Sequence, residues 1–374
     1  MGSRDATEPH RASTPLELLF DLCFVVAVAR AASLLHHAVT AGDVGSAVVS
    51  YVLVFFAIWW AWMNFTWFAS SYDNDDVVYR LLTLVQITGV LVLAAGVPRA
   101  FEHRDFDVVF VGYVVMRIGL VSLWLRASRF DPERRTTTRR MALGVSVCMI
   151  GWAAVALAGW PLWAFIAMGF AELAVPVWAE SAGNTPWHPE HIAERYGLFT
   201  LIVLGETIAA SSVAFQTVVD ARDADATVVF TAVGALLTVF SMWWLYFARP
   251  AGESLASSRV AFLWGYGHFV VFASAAAVGA GVGVMVDSVT GHSRLGDTGA
   301  AAAFTVPVIL YVLATLFLHA LLHDVQRIRW GAFGIGAALI AGATFTGQPV
   351  LLTGIVLVAM VAVMIVITER MARA

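Results

Sequence analysis

Glu17 and Asp21 stand four residues apart at the start of the first long apolar stretch of the chain. At that spacing they share one face of a helix, and two carboxylates so close in a dry setting compete for a proton or a counter-charge. Arg30 lies further along the same stretch, and Arg117, Glu172, Glu206 and His268 fall inside later ones. An ionisable group at the centre of a bilayer costs about 2.5–3.5 kcal/mol on insertion scales, so each is a functional candidate. Arg30 lies nine residues beyond Asp21 and turns to the opposite face, which leaves Arg117 as the expected counter-ion of Asp21. Four carboxylates against two arginines favour cations or protons over anions along such a path. The plainer alternative has Glu17 reaching to the membrane surface and Asp21 with Arg117 acting as a structural ion pair.

A second cluster reads His188-Pro189-Glu190-His191-Ile192-Ala193-Glu194-Arg195. Pro189 suits the start of a helix, and acidic residues suit its first turn. His191 and Glu194 are three apart and share a face, where they could hold a proton or a metal. An alternative reading makes His188, His191 and Glu194 metal ligands, with Glu17 as base, in a membrane-embedded enzyme acting on a lipid. His-x-x-Glu alone supplies too few ligands for a metal site. We therefore expect no metal and no cofactor; capping and anchoring are the commoner roles of such a pair. Glu206 follows Glu194 by twelve residues, about 18 Å along a helix axis, and belongs to a separate site deeper in the membrane.

The elements that must position these residues are membrane helices. Of 374 residues 60% are hydrophobic and 13% charged, and the mean hydropathy is +0.80. A soluble domain carries about 25% charged residues, and a packed core of this size needs no such apolar excess. Apolar runs near 16–37, 45–69, 77–97, 107–126, 140–158, 161–179, 193–215, 226–247, 260–286, 301–322, 329–346 and 350–368 are each long enough for a helix across the bilayer. Twelve spans with short links use almost the whole chain and leave no room for a soluble catalytic domain. Apart from Arg30 and Arg117, twenty arginines lie in the connections or towards the ends of spans, and an even count puts sixteen of them on one side and four, Arg99, Arg104, Arg222 and Arg294, on the other. That bias predicts both termini in the cytoplasm. Cys23 and Cys148 fall within spans and offer no disulfide or zinc framework. No cleaved signal peptide is expected, and the chain shows no phosphate loop, dinucleotide fingerprint or nucleophile elbow.

The run Phe55-Phe56-Ala57-Ile58-Trp59-Trp60-Ala61-Trp62 is similar to Val239-Phe240-Ser241-Met242-Trp243-Trp244-Leu245-Tyr246. Carrying that offset back places Asp21 opposite Gly205-Glu206. The expected organisation is a tail over 1–15, a six-helix repeat over 16–180, a linker over 181–192, and a second six-helix repeat over 193–374. Parallel repeats of this kind place a site near the midplane in many transporters. The recurrence of tryptophan at membrane interfaces is the competing explanation.

Two stretches resemble the bacterial low temperature requirement protein A family. One is Thr14-Pro15-Leu16-Glu17-Leu18-Leu19-Phe20-Asp21-Leu22-Cys23-Phe24-Val25. The other runs from His188-Pro189-Glu190-His191 through Arg195-Tyr196-Gly197-Leu198-Phe199 to Leu204-Gly205-Glu206. Family members usually show Phe-Phe-Asp where this chain has Leu19-Phe20-Asp21, and Gly-Glu-Ser where it has Gly205-Glu206-Thr207; neither change removes the carboxylate or the hydroxyl. The resemblance implies a multi-spanning bacterial inner-membrane protein and supplies no biochemical activity. Phe20-Asp21 also resembles, more weakly, the Phe-Ser-Asp of lysosomal-type potassium channels. The resulting expectation is an all-α permease or channel for protons or small cations. Its path would run through Asp21, Glu206, Glu17, Arg117 and Glu172, with His191, Glu194 and Arg195 at the cytoplasmic mouth. The lipid bilayer and a proton or small cation are its expected partners, a homo-oligomer is compatible with the sequence, and no nucleic acid is expected. The alternatives are the lipid-directed enzyme and a membrane scaffold or sensor that transports nothing.

Overall fold

In a bilayer each backbone N–H and C=O must find its partner within its own segment, so apolar runs of this length become helices. The computed structural model describes residues 12–72, 74–220, 226–255, 257–323 and 327–373, and of the tail expected over 1–15 only the last four positions fall within them. Arg4, Arg11 and Arg222 of the orientation argument lie outside the described residues, as do the side chains of Arg327, Arg329, Arg370 and Arg373.

Twelve α-helices follow in order among the described residues: α1 (Pro15–Thr40), α2 (Val44–Tyr72), α3 (Val77–His103), α4 (Asp107–Phe130), α5 (Arg135–Leu157), α6 (Leu162–Glu180), α7 (Pro189–Asp220), α8 (Ala226–Phe247), α9 (Ser258–Val289), α10 (Asp297–Leu322), α11 (Arg327–Ala343) and α12 (Pro349–Arg373). Eleven are long and apolar enough to cross a membrane. The exception, α11, has 17 residues and spans about 25 Å, short of the roughly 30 Å hydrocarbon core. Large apolar side chains point outward along the helices, such as Trp163, Phe170 and Ile150 at 75%, 69% and 72% exposure. An apolar surface of that extent calls for lipid, and the chain is a multi-span membrane protein.

Local signals set the helix ends. Pro15 and Pro189 open α1 and α7, where a missing N–H costs nothing. Asp76 caps α3 by accepting from the Tyr79 N–H at 2.9 Å, and Ser257 caps α9. Gly159-Trp160-Pro161 turns the chain from α5 to α6 with Trp160 at φ 59°, a left-handed conformation unusual for so bulky a residue.

The chain gathers into two compact units, residues 1–31 with 52–195, and residues 32–51 with 196–374. The division falls inside α1, α2 and α7. Within the first unit α3, α4, α5 and α6 pack as successive neighbours; within the second α9, α10, α11 and α12 do, and α8 packs on α12. Small residues permit the closest approaches. A Cβ on Gly112 would lie 2.6 Å from the Leu93 nitrogen and 2.7 Å from the Gly89 oxygen, so α3 and α4 touch backbone to backbone. In the tract Gly279-Ala280-Gly281-Val282-Gly283, Gly281 meets the Ala303 carbonyl in the same way, at 2.5 Å from an added Cβ.

Candidate functional site

The first turns of α1 and α7 present matched ladders. Glu17 and Asp21 lie two and six residues past Pro15; His191 and Arg195 lie two and six past Pro189. Four-residue spacing keeps each pair on one face, and the two faces meet rung against rung inside the first unit. On the first rung His191 Nε2 is 3.2 Å from Glu17 Oε1. On the second the Arg195 guanidinium forks onto Asp21, with Nε 3.1 Å from Oδ2 and an Nη 2.5 Å from Oδ1. The other Nη of Arg195 crosses to Glu17 Oε1 at 3.0 Å. Glu17, Asp21, His191 and Arg195 have no exposure at all.

Neighbouring polar groups complete this cluster. Trp62 of α2 donates its indole N–H to Asp21 at 2.7 Å. Thr66, one turn further on, places its hydroxyl 3.5 Å from Arg195. The Thr14 N–H and hydroxyl both donate to Glu17 Oε2, at 2.7 and 3.0 Å. Arg195 stays protonated at any physiological pH, so with both carboxylates ionised the group would be one positive charge short. A proton on His191 or on either carboxyl, or one small cation, would bring it to neutrality. In a membrane-embedded, fully enclosed setting that deficit is expensive.

The expected pairing of Asp21 with Arg117 is corrected by this geometry: Asp21 is held by Arg195. Arg117 instead sits 3.3 Å from Glu172, which also accepts from the indoles of Trp60 at 2.8 Å and Trp152 at 3.2 Å. Trp60 and Trp62, two residues apart on α2, thus each hold a different buried carboxylate. The His191–Glu194 pairing is likewise corrected. His191 faces Glu17, while Glu194 turns away to accept from the Ser13 N–H at 3.3 Å. Nor does Glu17 reach to the surface, since it is enclosed.

The alternative metal set of His188, His191 and Glu194 does not converge. His188 Nδ1 accepts from the His191 backbone N–H at 3.3 Å, and among the described residues no three His, Cys, Asp or Glu side chains gather as a metal site. Glu206 lies in the second unit, half-buried, with no hydrogen bond or ion pair among the described residues. His268, also in the second unit, is enclosed with its Nδ1 2.7 Å from the Trp264 carbonyl and its Nε2 2.9 Å from the Tyr246 hydroxyl. The carbonyl can only accept, so Nδ1 carries the proton and Nε2 takes the phenol hydrogen.

Sequence reasoning missed the central role of Arg195, which was placed at the mouth among the orientation arginines. The signal was present: His191 and Arg195 are four apart, as are Glu17 and Asp21, and both pairs start two residues after a proline.

A family model described as bacterial low temperature requirement A protein (LtrA) matches residues 12–368. A protein of Rhizobium meliloti (strain 1021), described only as uncharacterized, is 28% identical over 288 residues, covering 72% of this chain and 68% of the relative. The chain belongs to the bacterial low temperature requirement A family.

Proposed function

We propose that this LtrA-family membrane protein is a permease or channel for protons or small monovalent cations, and that the Glu17–Asp21–His191–Arg195 cluster is occupied during passage. The observation that carries this reading is the charge balance of the cluster. Two enclosed carboxylates face one permanent cation, and the remaining charge is within the capacity of a proton on His191 or of one small ion. With both termini cytoplasmic, as the arginine bias indicates, the cluster lies at the cytoplasmic end of the path, Asp21 about 9 Å into its helix. Glu206, a half-buried carboxylate of the second unit, is tested separately.

Proteoliposomes under an imposed proton or cation gradient test the proposal, comparing wild type with Glu17→Gln, Asp21→Asn and Glu206→Gln. Flux that disappears in Glu17→Gln and Asp21→Asn, in protein that still unfolds cooperatively, is the expected result. Unchanged flux in both variants would remove the cluster from the path. A second reading is favoured by the complete enclosure of the four side chains: the cluster locks α1, α2 and α7 together and nothing passes. It requires that wild type carry no flux and that the same substitutions lower thermal stability.

A further inference from the structure

The arginines that flank the connection between α4 and α5 divide by their partners. Arg126 pairs with Asp76 and Arg134 with Asp131, whereas Arg135, Arg139 and Arg140 have no ion-pair partner among the described residues. We propose that Arg139 and Arg140 hold the phosphodiester headgroup of one anionic phospholipid, whose chains lie along the outward faces of α5 and α6. This goes beyond the permeation reading and does not depend on it.

Two helices of the first unit bring the pieces together. The tight Gly159-Trp160-Pro161 turn sets α5 and α6 antiparallel, and they pack closely: a Cβ on Gly144 would lie 2.6 Å from the Val175 side chain. The first turns of α5 therefore stand beside the last turn of α6. There the Arg140 guanidinium lies 5.3 Å from the centre of the exposed Trp178 ring, and one Nη donates to the Ser181 hydroxyl at 3.1 Å. These contacts aim the side chain. Its Nε and other Nη have no hydrogen bond among the described residues. Together they form the fork that matches two oxygens of a phosphate.

Arg139, one position earlier, is exposed. It heads an outward stripe of α5 that continues as Leu143, Val147 and Ile150, all exposed, at the spacing of one helix face. From Arg139 to Ile150 is about 16 Å along the axis, close to half of the roughly 30 Å hydrocarbon core. On α6 the exposed side chains of Phe170 and Val177 lead up to Trp178. The unpaired positive charge thus sits at the end of an apolar surface one leaflet deep. A soluble anion makes no use of that surface, and a zwitterionic lipid brings a cation of its own against the arginines. An anionic phospholipid satisfies both features.

Full-length protein in mild detergent is titrated with phosphatidylglycerol, and retained lipid is counted by native mass spectrometry beside phosphatidylcholine with the same chains. The expected result is one saturable phosphatidylglycerol site, at least about tenfold tighter than for phosphatidylcholine. Arg139→Gln with Arg140→Gln should weaken it about 25-fold, roughly fivefold for each arginine. Arg259→Gln with Arg294→Gln removes two exposed arginines of the second unit and should bind as wild type does. Arg139→Lys with Arg140→Lys keeps the charge and safeguards folding, yet loss of the fork should still weaken binding several-fold. Equal retention of the two lipids, equal weakening in the two glutamine pairs, or undiminished binding in the lysine pair would each overturn the proposal. Displacement of the lipid by glycerol phosphate would overturn it in favour of a free phosphate. A dimer in lipid-free detergent that is lost in Arg139→Gln with Arg140→Gln would overturn it in favour of a second copy on this face. Glu17→Gln should bind phosphatidylglycerol normally, so a failure of the permeation reading leaves this result unaffected.

Discussion

Replacing Arg195 with methionine removes the one cation that faces both Glu17 and Asp21 while keeping most of the length of the side chain. The three side chains have no exposure, and the guanidinium makes contacts of 2.5 and 3.1 Å to Asp21 and 3.0 Å to Glu17. Deleting one partner of a buried ion pair costs about 3–5 kcal/mol, because the remaining charge is left without compensation. For a unit of this size each kcal/mol moves the midpoint by about 2–4 °C, so Arg195→Met should lower Tm by roughly 6–20 °C. The assay is thermal unfolding in mild detergent followed by tryptophan fluorescence. A triple variant, Glu17→Gln with Asp21→Asn and Arg195→Met, separates lost charge pairing from lost packing. Neutralising all three sites together should recover at least about half of the loss, since a fully replaced buried pair is often tolerated. A drop under about 2 °C in Arg195→Met, or a triple variant no more stable than the single, would refute the reasoning.

Trp62→Phe keeps the ring but deletes the N–H donated to Asp21 at 2.7 Å; a hydrogen bond to a charged group contributes about 1.5–3 kcal/mol, and an unchanged midpoint would show that this one contributes nothing. Asp76, hydrogen-bonded to Arg126 at 2.7 and 2.5 Å, is held down at about 2 from its ordinary 3.8, the Arg126 hydrogen bond being the main lowering cause. A depressed folded pKa gives stability that is complete above the ordinary value and lost as pH falls through about 2. A pH series of unfolding midpoints should therefore lose its slope between about 4 and 2 in Asp76→Asn, by no more than about 0.2–1 kcal/mol because the pair is partly exposed. Gly112→Ala puts a methyl 2.7 Å from the Gly89 oxygen and should cost about 1–3 kcal/mol by forcing α3 and α4 apart; full stability in that variant would mean the two helices can separate freely.

Much of the architecture was legible because membrane insertion is decided locally. Whether a segment satisfies its own backbone and presents apolar side chains to lipid depends on its twenty or so residues alone. The start of α7 at Pro189 follows from the same kind of short-range chemistry. The full length of α2, α7 and α9 was less legible, since polar residues at helix ends blur hydropathy without ending a helix.

The sequence by itself determined that this is a many-helix membrane protein, that Glu17 shares a face with Asp21, and that Glu172 would need a partner inside the membrane. Only the tertiary structure decided which partner each acid takes. Asp21 and Arg195 are separated by 174 positions and Glu172 and Arg117 by 55, and nothing in the spacing along one helix says which other helix lies against it. Charge attraction is indifferent to identity, so Arg117 and Arg195 were equally able to answer Asp21. The packing of α1 against the first turns of α7 brought one of them within 3 Å and left the other to Glu172.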